Sequence, residues 1–367
     1  MKQFFLCVCA LLVLFTSLAM AQDLPKSFDI RNKYPHCTNI LDQGYCGSCW
    51  SFSATQGLSD RFCIATNKSL ILSPQYNINC ETGDQGGCSG GSTLLAYQWF
   101  ASNGVDKLSC TNYYSGETQD TGKCPTTCDD SSPITLYHAQ KGYSLKASTS
   151  KETVHNIMRD VVENGPVSVS FIVYTDFTSF FQSNPNGVYF YTGGSARGGH
   201  AVKVVGWGTT AEGVDYWIIA NSWGTSFADG GYFKIRRGTN ECTIESRLIS
   251  AGLPNLNRRT NMIKPIPSYA SEFTDEDRAV IDGAFQEIPI DQEVYEVFEH
   301  VLSQEQVKSD RVIGIKKAYS QVANGINFKL DIAVKSPSAA NKKSSDTNSN
   351  GESVVTVVVH KPHGPSD

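Results

Sequence analysis

The sequence predicts an α+β protein in two parts, a prediction that three patterns carry. A helical period opens at Cys49, where Trp50, Ala54, Leu58 and Phe62 recur every fourth residue. From about Val167 to Ile249 the pattern turns to β-rich runs punctuated by glycine, among them 201–205, 216–220 and 232–235. Beyond a polar stretch rich in Pro and Arg, Val294, Val297, Phe298, Val301 and Leu302 give a second amphipathic helix. Strands are expected after it near Ile326–Val334 and Val354–His360.

Taken in order, the chain opens Met1-Lys2, then an apolar stretch from Phe4 to Phe15, then Ala19-Met20-Ala21. That reads as a secretory signal over 1–21, cut before Gln22. The stretch is too short to cross a bilayer, and no later segment reaches about 18 apolar residues. Residues 22–254 read as one unit, 255–280 as a linker and 281–367 as a last domain. Within that domain 336–353 is rich in Ser, Asn and Lys and is expected to be a disordered loop. A net charge of −5 argues against nucleic acid as the main partner, because phosphate binding needs a basic face. No cofactor, metal or membrane partner is expected.

Of the 12 cysteines, Cys7 and Cys9 leave with the signal. Nine of the remaining ten crowd before residue 130 and the last is Cys242. This usage fits the secretory pathway, where disulfides persist. If Cys49 is a free nucleophile, at least one more cysteine is unpaired, and the connectivity stays open. Asn67-Lys68-Ser69 is an acceptor for N-glycosylation.

The chemistry centres on Gln43-Gly44-Tyr45-Cys46-Gly47-Ser48-Cys49-Trp50. A cysteine opening a helix feels the positive end of the dipole and unpaired N–H groups, which favour the thiolate. A lone Cys-Gly-Ser-Cys also suits a buried or disulfide-bonded cysteine. A thiolate nucleophile needs an imidazole to share its proton and a third group to hold that imidazole. His36 and His155 read as surface residues, whereas His200 follows Gly198-Gly199 and opens an apolar strand. The run Tyr216–Gly224 supplies Asn221 as orienter, with Trp223 to shield the Asn–His bond from water.

These three blocks together resemble the papain family of cysteine peptidases over essentially all of 22–254. The resemblance implies a two-subdomain fold, a helical half plus a β-barrel-like half. It also implies hydrolysis of peptide or protein substrates through a thioester acyl-enzyme. Cys49 would be the nucleophile, His200 the base and then acid, and Asn221 its orienter. Gln43 and the Cys49 N–H would form the oxyanion hole.

Within the family the resemblance is closest to the cathepsin B group, through Leu24–Asp29, Asp60–Ile64 and Cys242–Ser246. That likeness implies bridges Cys37–Cys63, Cys46–Cys88, Cys80–Cys124 and Cys110–Cys128, with Cys242 free. Gly47, Gly90, Gly91, Gly199, Ala201 and Trp223 would surround the bound peptide, and Glu245 would lie at the base of the main specificity pocket. A carboxylate there tolerates a basic side chain as well as an apolar one, although a solvated glutamate is the plainer reading. The stretch Thr111–Lys123, where cathepsin B carries a histidine-bearing occluding loop, is short and contains no histidine, so an endopeptidase is expected. The family's inhibitory propeptide is expected to be absent, with Leu24-Pro25 directly after the signal. A lysosome-like vacuole or the extracellular space are the expected destinations.

The last domain resembles a cystatin, a family that inhibits papain-like enzymes. Gly283, the run Gln321-Val322-Ala323-Asn324-Gly325 and the turn at Pro362-His363 carry the likeness. It implies a helix on an antiparallel sheet, with those three segments forming a wedge that fills the active-site cleft. Asn324 stands where that family usually has a small apolar residue. The domain would restrain the peptidase in cis, or papain-like proteases in trans, and a cut at Arg258-Arg259 would release the enzyme. The rival reading is a cysteine-protease inhibitor or binding protein whose peptidase half is inactive.

Overall fold

The computed structural model describes residues 24–83, 85–261, 281–304, 312–335 and 352–362. The signal over 1–21, the loop over 336–351 and His363 lie outside them. Among the described residues the first half holds, besides one-turn helices at Ile30–Lys33 and Ser115–Thr118, the longer helices α1 (Cys49–Thr66), α2 (Pro74–Cys80) and α3 (Thr93–Ser102). The strand-rich half holds β1 (Phe28–Asp29), β2 (Thr135–Ser144), β3 (Val167–Tyr174), β4 (Val188–Tyr189), β5 (Ala196–Thr209), β6 (Asp215–Ala220), β7 (Tyr232–Arg236) and β8 (Ile249–Asn261). Helices α4 (Ser150–Asn164) and α5 (Thr175–Ser183) flank it. The C-terminal part is β9 (Gln286–Ile288), α6 (Gln292–Ser303), β10 (Val312–Ala323), β11 (Gly325–Lys335) and β12 (Glu352–Lys361).

Helix α1 is buried from Cys49 through Cys63 on every face. A helix wrapped on all sides needs small residues, and Ser51, Ser53, Ala54 and Gly57 let neighbours come close. The Ser53 hydroxyl donates to the Val202 carbonyl at 2.8 Å and shares a hydrogen bond with the Ser168 hydroxyl at 2.8 Å, tying α1 to β3 and β5. Asp60 pairs with Lys203 on β5, and Arg61 with Asp160 on α4, all four side chains buried. Helix α4 is amphipathic, with Val154, Ile157 and Val161 inward. Its start is capped by Thr149, whose Oγ1 accepts from the Glu152 N–H at 3.2 Å while the hydroxyl donates to the Glu152 carboxylate at 3.1 Å.

The large sheet runs in the order β2-β8-β3-β5-β6-β7-β4, with β1 on β5. Strand β5 lies between β3 and β6, opposing His200 to Phe171, and β6 ends where Asn221 begins. The C-terminal sheet runs β12-β11-β10-β9. Helix α6, capped by Asp291 accepting from the Val294 N–H at 3.1 Å, packs Val294, Val297, Phe298 and Val301 with Phe328, Leu330 and Ile332. Four disulfides join Cys37–Cys63, Cys46–Cys88, Cys80–Cys124 and Cys110–Cys128. Cys49 and Cys242 are free and buried.

Two boundaries differ from those expected. The linker does not begin at 255: β8 continues to Asn261, opposing Arg259 to Tyr137 and Thr260 to Leu136. Pairing to β2 overrides the breaking tendency of Pro254 and the polarity of Arg258-Arg259. The polar loop ends by 351, because Glu352 and Ser353 already pair with Lys335 and Val334.

One buried acid makes stability depend on pH. Burial pushes the Asp106 carboxyl up to about 7; the Thr111 hydroxyl opposes this, while the charge of Asp129 adds to it. Its Oδ1 is buried with no hydrogen-bond partner among the described residues. The folded chain therefore holds a proton that the unfolded chain has lost above about pH 4. The stabilisation from this group is complete below about pH 4 and is gone once the pH has risen through 7. Asp106→Asn is expected to raise stability at pH 8 by about 1 to 4 kcal/mol and to change it little at pH 4. Urea midpoints at the two pH values check this.

Candidate active site

Cys49 is the first residue of α1, and Ser48 before it makes no side-chain cap, so the Cys49 and Trp50 N–H groups are not taken by it. The N–H groups of Ala201, Trp50 and Cys49 point at the sulfur and favour the thiolate. Burial first, and the charge of Asp282 second, outweigh them and hold the thiol well above its usual range.

His200 comes from β5 and is fully buried. Its Nε2 is 2.8 Å from Asn221 Oδ1, and Trp223 stacks on the ring with centroids 4.7 Å apart. Nδ1 has no hydrogen-bond partner among the described residues. Burial holds the imidazole down at about 4, against the raising effect of Asn221. Gln43 is fully buried, accepting from the Ser222 hydroxyl at 2.7 Å and donating to the Cys46 carbonyl at 2.9 Å. The Ala201 N–H, next in the chain after His200, thus points at the Cys49 sulfur, while Asn221 fixes the His200 ring.

Residues 281–284 lie across this site. Asp282 and Gly91 pair in both directions, Gly91 N–H to Asp282 O at 3.0 Å and Asp282 N–H to Gly91 O at 2.9 Å. The Gly283 N–H donates to Gly199 O at 3.0 Å. A Cβ built on Gly283 would stand 2.4 Å from Gly47 O and 3.2 Å from Cys49 Sγ, and its φ of +76° already disfavours a side chain. Gly47 is as confined: a Cβ there would meet Gly283 O at 2.1 Å. The Gln321 amide donates to Gly283 O at 2.7 Å and to Cys88 O at 2.8 Å.

Further contacts surround that seat. Asn324 donates its N–H to Gly44 O at 2.9 Å and its amide to both Asp42 oxygens, so its polarity is used. Asn327 donates to Tyr45 O at 2.8 Å, and His360 lies 4.1 Å from the Tyr45 ring. Val322 packs over Gly198. Arg197, almost wholly buried, pairs with Asp291 at 2.8 Å and Glu293 at 2.6 Å. Gly325 turns between β10 and β11, and Pro362 is exposed.

Of the other residues singled out, Gly90 abuts Ala284, Ile281 and Asp282, and a Cβ on Gly91 would strike the Trp50 indole. Asn67 is exposed at the left-handed C-cap of α1. Glu245, expected at the base of the main specificity pocket, is buried. It accepts from Trp217 Nε1 at 3.1 Å and from the N–H groups of Gly238 and Asn240, which leaves it internally engaged. The charged group that meets the segment is Arg247, whose Nε donates to Asp282 at 3.2 Å. Arg247 and Asp282 were missed by sequence reasoning. Asp282 directly precedes Gly283, and Arg247 directly follows the Cys242–Ser246 run, so each borders a motif that was noticed.

A family model for the papain family cysteine proteases matches residues 24–251. Cathepsin B-like CP3 of Giardia intestinalis is 43% identical over 241 residues, 64% of this chain and 77% of that one. Cathepsin B-like protease 1 of Arabidopsis thaliana is 40% identical, covering 63% and 68%. Among solved structures, procathepsin B S9 from Trypanosoma congolense is 34% identical with a TM-score of 0.57, covering 64% of this chain and 79% of that one. The chain belongs to the papain family of cysteine proteases and is one of its cathepsin B-like peptidases.

Proposed function

We propose that the chain is a cysteine endopeptidase restrained by its own C-terminal, cystatin-like domain. In the released enzyme Cys49 attacks the scissile carbonyl after passing its proton to His200. Asn221 holds the ring, and Gln43 with the Cys49 N–H receives the oxyanion. His200 then protonates the leaving amine, and a water molecule activated by the same ring hydrolyses the thioester. The short Thr111–Lys123 stretch, free of histidine, supports internal cleavage rather than removal of terminal dipeptides. Four disulfides fit an oxidising compartment, and an acidic vacuole or secretion fits the family.

The observation that carries the restraint is the seat of Gly283 against Gly47 and the Cys49 sulfur. Residues 282 and 283 lie there as a peptide strand would, yet the Gly283 carbonyl accepts from Gln321 while the Gln43 amide is engaged with Cys46 O. A carbonyl held away from the oxyanion donors is not activated for attack, which accounts for a segment that occupies the cleft uncut. Because both halves share one chain, even weak docking is favoured by a high effective concentration.

Gly283→Trp in the full chain is expected to raise peptide hydrolysis at least tenfold and to speed iodoacetamide labelling of Cys49. A wild-type chain as active as the variant would remove the restraint, and silence from both would return the inhibitor reading. Arg197→Met leaves Asp291 and Glu293 without their cation and is expected to weaken docking by about 2 kcal/mol, read as partial activation. On an internally quenched decapeptide, mass spectrometry is expected to find internal fragments ahead of terminal dipeptides.

A further inference from the structure

The residue that enters the pocket beside the thiol is an aspartate, and the groups that receive it are a cation and a hydroxyl. Asp282 is fully buried. Its Oδ1 accepts from Arg247 Nε at 3.2 Å, and its Oδ2 accepts from the buried Ser170 hydroxyl. The pocket wall at Gly199 has no room for a side chain, since a Cβ there would stand 2.4 Å from Asp282 Oδ1 and 2.6 Å from an Arg247 terminal nitrogen. The carboxylate that could have reversed this charge, Glu245, is engaged by Trp217 and by backbone N–H groups.

Asp282 is placed by main-chain pairing, not by its side chain alone. Its backbone exchanges both hydrogen bonds with Gly91, and the next residue donates to Gly199 O, beside His200. An extended peptide that repeats those three bonds puts the side chain one residue before the thiol-facing position into the same pocket. With Asp282 withdrawn, Arg247 and Ser170 lack their partner.

We infer that the peptidase selects substrates with an acidic residue, aspartate ahead of glutamate, at the second position before the scissile bond, through Arg247 and Ser170. This rests on the peptidase reading and deepens it by naming the substrate class. A buried site built to bond a carboxylate rejects a side chain that leaves its donors unpaired, and it repels a cation outright. Arg247 thus sets specificity from beside the reacting atoms and takes no part in the chemistry.

The test uses the full chain, as wild type and as Gly283→Trp, on quenched peptides that differ only at that position: Asp, Glu, Phe or Arg. The expected result is a kcat/KM for Asp at least tenfold above that for Arg, carried mainly by KM. Arg247→Gln should bring the ratio near one, Arg247→Glu should invert it, and Arg247→Lys should restore part of it. If those variants fail to fold, the Asp-to-Arg ratio of the Gly283→Trp chain, in which Arg247 is unchanged, decides the matter. Turnover of the Arg peptide equal to or above the Asp peptide overturns the inference and leaves the peptidase reading intact. So does a ratio unmoved by Arg247→Gln. No turnover of any peptide by either form overturns both.

Discussion

The structure depends on the burial of one helix that is packed on every side. Helix α1 carries Cys49 at its first turn, and three positions along it reach into the strand-rich half. Ser53 bonds β3 and β5, Asp60 pairs with Lys203, and Arg61 with Asp160. Lys203 lies on β5, the strand that also carries His200. The relation of sulfur to imidazole is therefore set by one helix–strand interface. Buried ion pairs return little net stability once their desolvation is counted, but removing one partner is costly. Here they fix how far along β5 the helix can sit.

Much of this frame was legible because it rests on local pattern. The four-residue repeat from Trp50 to Phe62 located α1, and the runs at 201–205, 216–220 and 232–235 lie inside β5, β6 and β7. What was missed depends on contacts distant in sequence. Val312–Ala323 carries Gly314 and Lys316-Lys317, which break any clean alternation, yet it is an inner strand of the C-terminal sheet. Pro254 and Arg258-Arg259 read as punctuation, and only β2 makes that stretch a strand. The identity of the pocket's charged wall had the same limit. Glu245 and Arg247 stand two residues apart, and nothing in a one-dimensional string says which one faces inward to backbone N–H groups and which faces the cleft.

Burial of the site bears on a proton as well. It pushes the Cys49 thiol up and holds the His200 imidazole down, so both neutral forms are favoured in the occupied site. A thiolate–imidazolium pair would carry the same total number of protons. Exposing the site to water would therefore favour moving the proton from sulfur to nitrogen while leaving the proton count of the pair unchanged. Acidity acts on the assembly through other groups. Burial holds His360, tilted against Tyr45 at the seam, down at about 4, so acid disfavours its docked form. Burial pushes the carboxyl of Asp282 up despite Arg247, so acid favours its docked form.

Strand β8 has a consequence for how such a restraint could be lifted. Because Arg258 and Arg259 are held in a paired strand, that basic pair is a poor target for another protease, which needs its substrate extended and unpaired. A cut beyond Asn261 would leave every strand of both sheets intact and the wedge still seated. What would change is the molecularity of the equilibrium. A closure that had been independent of dilution would become an association between two pieces, strong in a crowded vesicle and lost on release into a larger volume. The nicked protein would then read the volume around it, silent where it is stored and active where it is spilled.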